Sequence, residues 1–256
     1  VYKGDYQEKH VYSRAQPTTA YSAAQDPLDG TFTVSMARND DGSTGLIALP
    51  FTFNFYGTPY TSLYINNNGN VTFGGSSSTY SPTGFPTMGL PRIAPFWADV
   101  DTRNTASGLV YHKIEPRRIT IIWDHVGYYG SHADKLNTFE LILTDATDPL
   151  VGIGRNACFS YDDMQWTTGD ASSGSGGFGG FAATVGVDKG DGVNYIQIGR
   201  FDHPGTDYDG PFGINDGISY LDNKEYCFFV GPGIAGMKYN DLNVNGVFDA
   251  GEPGLA

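Results

Sequence analysis

The chain has no run of 18 apolar residues among its 256, and a membrane-spanning helix needs about 20, so no helical span is expected. Helical periodicity is almost absent as well. Basic residues are scarce: 15 Lys and Arg stand against 28 Asp and Glu, a formal charge of −13. Such a surface repels phosphate backbones and anionic lipid, which argues against nucleic acid and anionic membrane surfaces as partners, while the missing apolar run argues against membrane insertion. The first residues, Val1-Tyr2-Lys3-Gly4-Asp5, lack the layout of a secretory signal, so either a signal has been removed or the chain is cytosolic. Catalytic signatures are missing too. The five histidines (His10, His112, His125, His132 and His203) show no H-x-x-x-H spacing, and nothing resembles a nucleophile elbow. Gly174-Ser-Gly176-Gly-Phe-Gly179 satisfies G-x-G-x-x-G but follows a Ser/Gly stretch rather than a strand, so dinucleotide binding is refused. Cysteine is limited to Cys158 and Cys227. Both lie in strand-like contexts and are either one disulfide closing a loop of about 70 residues or two buried thiols.

What the chain has in abundance is aromatic residues and glycine: 17 Tyr, 16 Phe and 35 Gly. Aromatics suit half-buried pleated surfaces, and glycine supplies the turns between many strands. The expected fold is all-β, an antiparallel β-sandwich with long Gly/Ser/Asn-rich loops and little or no helix. Alternation places strands at 31–36 and 49–57, the latter putting Phe51, Phe53 and Phe55 on one face. Segments 62–65 and 70–73 flank Asn66-Asn67-Asn68-Gly69, a hairpin signal whose Asn-Gly tolerates positive φ. Further strands are expected at 93–100, 108–112, 118–126, 137–144, 157–161, 182–187, 195–198 and 225–230. Asn39-Asp40-Asp41-Gly42 reads as a turn, and 171–180 as a flexible Gly/Ser loop. Residues 1–28 form a polar arm, 29–231 the main β domain, and Gly231-Pro232-Gly233 opens a linker into a short module at 232–256.

That last segment carries the sharpest motif: Asp241-Leu-Asn243-Val-Asn245-Gly246-Val247-Phe-Asp249-Ala-Gly-Glu252. Oxygen ligands fall at positions 1, 3, 5, 9 and 12, with glycine at 6, the spacing of a twelve-residue calcium loop. Asp241, Asn243, Asn245 and Glu252 offer side chains, Val247 its carbonyl, and Asp249 a direct or water-mediated contact. The flanks lack the helices of an EF-hand. Residues 236–255 instead resemble the first strand and calcium loop of SdrD B-type repeats, immunoglobulin-like modules of bacterial surface proteins. The resemblance implies that the chain is a piece of a longer protein and that calcium stiffens the junction to a following module.

A second resemblance covers the body. Ile65-Asn-Asn-Asn-Gly69-Asn-Val-Thr-Phe73, Ala94-Pro-Phe-Trp-Ala-Asp99-Val-Asp101, Asn137-Thr-Phe139-Glu and Asp163-Met-Gln-Trp166-Thr-Thr-Gly169, in this order, are similar to a nidogen-like (NIDO) domain of the tectorin kind. The resemblance runs over 49–230. It implies an extracellular adhesion or matrix role, no catalysis, and partners among other matrix proteins or copies of the chain itself. An extracellular or cell-surface location in turn favours the Cys158–Cys227 disulfide.

Four lesser features remain. Asp99 and Asp101, two apart on a strand, are strand-end carboxylates or a second cation site; a hydrolytic pair needs facing geometry that this spacing lacks. Asn70-Val71-Thr72 is a glycosylation sequon, relevant in a glycosylating host. The arm at 1–28 could add a strand to a neighbour and build a filament. Abundant Tyr with Asp/Asn-rich loops admits a glycan-binding module as a further alternative.

Overall fold

The computed structural model describes residues 28–231, so the arm and the calcium loop at 241–252 lie outside the described residues. Fourteen strands are described. They are β1 (Thr33–Val34), β2 (Ile47–Phe55), β3 (Thr58–Asn66), β4 (Asn70–Thr72), β5 (Arg92–Trp97), β6 (Val100–Asp101), β7 (Leu109–Glu115), β8 (Arg118–Tyr128), β9 (His132–Thr144), β10 (Ala157–Tyr161), β11 (Ala183–Asp188), β12 (Tyr195–His203), β13 (Asp216–Gly217) and β14 (Glu225–Phe228). The helical content among the described residues is two single 3₁₀ turns, Asp170–Ser172 and Ile218–Tyr220.

The strands form two sheets. One runs β1-β7-β8-β9-β10-β14, with β6 continuing beside the far end of β8; the other runs β13-β12-β11-β5-β4-β3-β2. All pairings are antiparallel except β12 with β13. The expected all-β sandwich is what the chain forms.

Sequence alternation explains the interior. In β2, Phe51, Phe53 and Phe55 are buried while Thr52 and Asn54 face solvent, as period-2 geometry requires. From the opposite sheet come Ile121, Trp123, Phe139, Leu141 and Phe159, all buried in the same core. Rings cross the gap: Phe96 of β5 lies 5.3 Å from Phe139 of β9, which in turn stacks at 5.1 Å on Trp123, its cross-strand neighbour in the same sheet. The Tyr161 hydroxyl donates to the Pro95 carbonyl at 2.6 Å, which satisfies a polar group inside an apolar layer. Each such fully buried Phe contributes about 2–3 kcal/mol of transfer free energy.

Cys158 and Cys227 are joined in a disulfide at facing positions of β10 and β14. The last strand is also tied to the other sheet. Val230 donates its N–H to Asn156 Oδ1 at 2.8 Å, and its carbonyl accepts from the Tyr56 N–H at 2.6 Å.

Two expectations need correction. The Gly/Ser stretch 171–180 is folded against the body rather than free. Ser172 is buried, Ser175 and Phe178 form a β-bridge, and the Phe181 N–H donates to the Ser172 carbonyl at 2.9 Å. The strand expected over 93–100 is broken. After Trp97 the ladder stops, and Asn68 takes over as acceptor, receiving the Ala98 N–H on its carbonyl (3.4 Å) and the Val100 N–H on Oδ1 (3.0 Å).

Candidate metal centre

Three connections meet at one end of the sandwich. They are the turn at Asn39–Gly42 on the way from β1 to β2, the β3–β4 hairpin turn, and the bend between β5 and β6. The hairpin turn is the hub. Hairpin tips usually project into water, yet Asn66, Asn67, Asn68 and Asn70 are each at most 1% exposed. Burying four amides is costly unless their hydrogen bonds are met inside. Asn66 donates to Asn70 Oδ1 (2.8 Å) and Thr72 Oγ1 (3.0 Å), and accepts from the Ser43 hydroxyl (2.8 Å). Asn68 donates to Asp41 Oδ1 at 2.8 Å. Asn70 donates to the Asn68 carbonyl at 2.8 Å. The Asn67 carbonyl accepts from the indole of Trp123 at 3.0 Å.

Asn67 is the exception. Its Nδ2 donates to the carbonyls of Asp40 and Val100. Two carbonyl acceptors fix the amide orientation, since the other rotation would set oxygen against oxygen. Oδ1 is then left buried with no hydrogen-bond partner.

The carboxylates of Asp40, Asp41 and Asp99 gather at the same place. One oxygen from each lies within 4.8 Å of those from the other two. Asp99, in the β5–β6 bend, is 1% exposed, whereas Asp40 and Asp41 are half-buried. Asp99 is roofed by the stretch after Trp166. The Ser172 hydroxyl donates to Oδ2 at 3.3 Å, and a Cβ on Gly169 would stand 2.6 Å from that same oxygen, so only glycine leaves room for the carboxylate. Oδ1 of Asp99 and Oδ1 of Asp40 are both buried without a partner.

The electrostatics follow from this crowding. Burial, with the charge of Asp40 next, pushes Asp99 up to about 7. Burial, with the charge of Asp41 next, raises Asp40 to about 6. The nearest cation, Arg103, is 3.4 Å from Asp40 but is committed to Asp101 at 2.6 Å. Three carboxylates thus share a space whose neighbouring guanidinium is already paired.

Asp99 and Asp101 do not form a common site. Asp101 accepts from the Arg103 backbone and guanidinium, and its Oδ2 also takes the Ser131 N–H at 2.9 Å. Burial alone would raise it, but these bonds outweigh burial and hold it below the ordinary carboxylate range. The partners of Asp99 are instead Asp40 and Asp41, some 58 residues earlier in the chain. The only sequence signal for them is the acidic Asn-Asp-Asp-Gly turn, which is equally the signature of an ordinary turn.

Asn70 is corrected as a glycan acceptor. It is fully buried, and its Nδ2, the atom a glycan would occupy, is bonded to Asn68 and enclosed by the turn. The calcium loop residues Asp241, Asn243, Asn245, Val247, Asp249 and Glu252 lie outside the described residues.

Among known proteins, the family model described as NIDO related matches residues 11–206. That span stops short of β13 and β14, which the sandwich nevertheless needs. Alpha-tectorin from Mus musculus and from Homo sapiens are each 34% identical over 188 residues, covering 62% of this chain and 8% of theirs. Nidogen from Drosophila melanogaster is 30% identical over 142 residues, 45% of this chain and 10% of its own. The chain therefore spans a tenth or less of the length of these relatives. No solved structure matches it. With the family model covering most of the chain, the chain belongs to the NIDO-related family.

Proposed function

We propose that the chain is an extracellular structural module of a secreted or cell-surface protein, non-catalytic, and stabilised by calcium at its C-terminal junction. The observation that carries this reading is membership of the NIDO-related family, together with relatives of the tectorin and nidogen kind. The Cys158–Cys227 disulfide supports it, because such bonds persist in oxidising compartments. So does the −13 formal charge, which suits solubility and divalent cations better than anionic partners. The partners of such a module are other matrix proteins or copies of itself.

The junction is the testable part. If Asp241, Asn243, Asn245, Val247, Asp249 and Glu252 hold calcium, chelation should release the segment that leads into them. Limited proteolysis of the full chain, with cut sites read by mass spectrometry, is expected to show cleavage within 231–240 in EDTA and protection in millimolar calcium. Asp241→Asn should make that cleavage independent of calcium. Equal cleavage with and without calcium would remove the junction role.

A second reading, a filament subunit, draws on one feature. The arm at 1–28 precedes β1 by four residues in sequence, β1 is an edge strand of its sheet, and edge strands can accept a strand from a neighbour. Deleting residues 1–28 should then abolish any assembly seen by sedimentation and electron microscopy. A deletion that still assembles would rule the reading out.

A further inference from the structure

We infer that Asp40, Asp41, Asp99 and the side-chain oxygen of Asn67 form a calcium site inside the sandwich, separate from the C-terminal loop.

Two independent observations support it. The first is the gathering of three carboxylate oxygens within 4.8 Å of one another, from segments far apart in sequence. The second is a set of orphaned oxygens, two on these carboxylates and one on Asn67, whose amide nitrogen donates to the Asp40 carbonyl. Asn67 Oδ1 and Asp99 Oδ1 belong to residues at most 1% exposed and have no donor, and Asp40 Oδ1 is buried without one. A native interior leaves few buried acceptors unpaired, and here three occur on neighbouring groups in a region where every other amide of the hairpin turn is engaged. All are acceptors, so the missing partner is a donor or a cation. Among the described residues no lysine or arginine fills the role: Arg103 pairs with Asp101 at 2.6 Å and reaches Asp40 only at Oδ2, at 3.4 Å, which leaves the three orphaned oxygens unmet.

The donor set selects the ion. Every ligand is oxygen: three carboxylates and one amide carbonyl. That excludes the nitrogen and sulfur preference of zinc and fits a hard cation. Calcium takes six to eight oxygens in adaptable geometry, which three carboxylates, one amide and water entering past half-buried Asp40 and Asp41 can supply. Magnesium demands near-ideal octahedral geometry and keeps most of its water, which suits less well a site whose deepest ligand is enclosed beneath Gly169 and Ser172.

The ion would join three connections: the β1–β2 crossing between the sheets, the β3–β4 turn and the β5–β6 bend. It would therefore fix the segment around Asp40 to the body at a point where protein hydrogen bonds leave the acceptors unmet.

The test uses the full chain carrying Asp241→Asn and Glu252→Gln, which silence the C-terminal loop. After removal of metal, calcium is titrated by calorimetry and thermal unfolding is followed in parallel. One bound calcium per chain is expected, with a rise in Tm of about 5–10 °C once calcium exceeds its Kd by about a hundredfold, and a much smaller rise with magnesium. Adding Asp99→Asn removes one charge without changing shape. It should weaken binding by roughly tenfold or more, while the metal-free Tm stays level or rises as repulsion is relieved. Asp41→Asn, which keeps an oxygen for the Asn68 amide at a half-buried position, should weaken binding in the same direction should the Asp99 variant fail to fold. Absence of calcium heat and of any Tm shift in the loop-silenced chain would overturn the site. So would undiminished calcium affinity in the Asp41 or Asp99 variant.

Discussion

Gly69→Ala is expected to destabilise the domain by about 3–5 kcal/mol. Gly69 has φ +68°, and a left-handed backbone costs an L-residue about 1–2 kcal/mol. The larger part is steric. A Cβ here would stand 1.7 Å from the Phe96 carbonyl oxygen and 3.2 Å from the Phe139 ring. Neither neighbour can yield cheaply. Phe96 lies in β5, inside its sheet between β4 and β11, and its N–H donates to the Gly69 carbonyl at 3.2 Å. Overpacking of this kind costs roughly 1–3 kcal/mol or more. For a domain of this size Tm should fall by about 6–20 °C. Gly74→Ala is the matched control: its φ is +82°, but a Cβ there meets nothing within 4 Å, so backbone strain of about 1–2 kcal/mol should be its whole cost. Urea unfolding of the two variants compares them directly. Equal losses would mean that the approach of the hairpin turn to β5 is not what demands glycine. Because the same turn carries Asn67 and Asn68, the Gly69 variant should also bind calcium more weakly.

Opening the disulfide should have an effect of similar size. Cys158 and Cys227 are separated by 69 positions, and cross-linking a loop of that length lowers the entropy of the unfolded chain by an amount worth about 4 kcal/mol. The bond joins β14, an edge strand, to β10. Without it, β14 keeps its ladder to β10 and the Val230 contacts to Asn156 and Tyr56, so the fold should persist while its margin shrinks. The double replacement Cys158→Ala, Cys227→Ala and the reduced native chain are both expected to unfold at markedly lower urea than the oxidised chain. The reduced chain isolates the cross-link, because Cys158 packs with Ile142 and Val151 and its truncation also opens a small cavity. A reduced chain with an unchanged midpoint would show that the linkage adds little.

These two predictions rest on features of different visibility. The alternation Phe51, Phe53, Phe55 marks β2 and its inward face, because the strand period of 2 is written directly into neighbouring residues. The Asn-Gly turn between β3 and β4 was readable for the same reason: it is local chemistry. So was the strand carrying each cysteine, though their pairing depended on how β10 and β14 come together. The strand ends were less legible. Over 93–100 the side chains suggest one continuous strand, but the hydrogen bonds that would continue it are supplied by Asn68 from another turn, and no local pattern announces such a substitution.

The candidate site shows the division most clearly. Asp99 was visible as a carboxylate in need of an explanation, and Asp101 was its nearest neighbour in sequence. Folding separates them: Asp101 turns to Arg103 and the Ser131 N–H, and Asp99 meets Asp40 and Asp41. Asn70 read as a glycan acceptor from its sequon alone, yet its turn is enclosed by Trp123, the Asp40 turn and the β5–β6 bend. The sequence by itself determined the β class, the inward faces of the strands, the hairpin and the acidic, cation-favouring surface, because each depends on residues within a few positions of one another. Which carboxylates share a space, which amide oxygen is left without a donor, and which glycine cannot be replaced were decided only by the tertiary structure. Each of those depends on distances of a few ångströms between segments tens of residues apart.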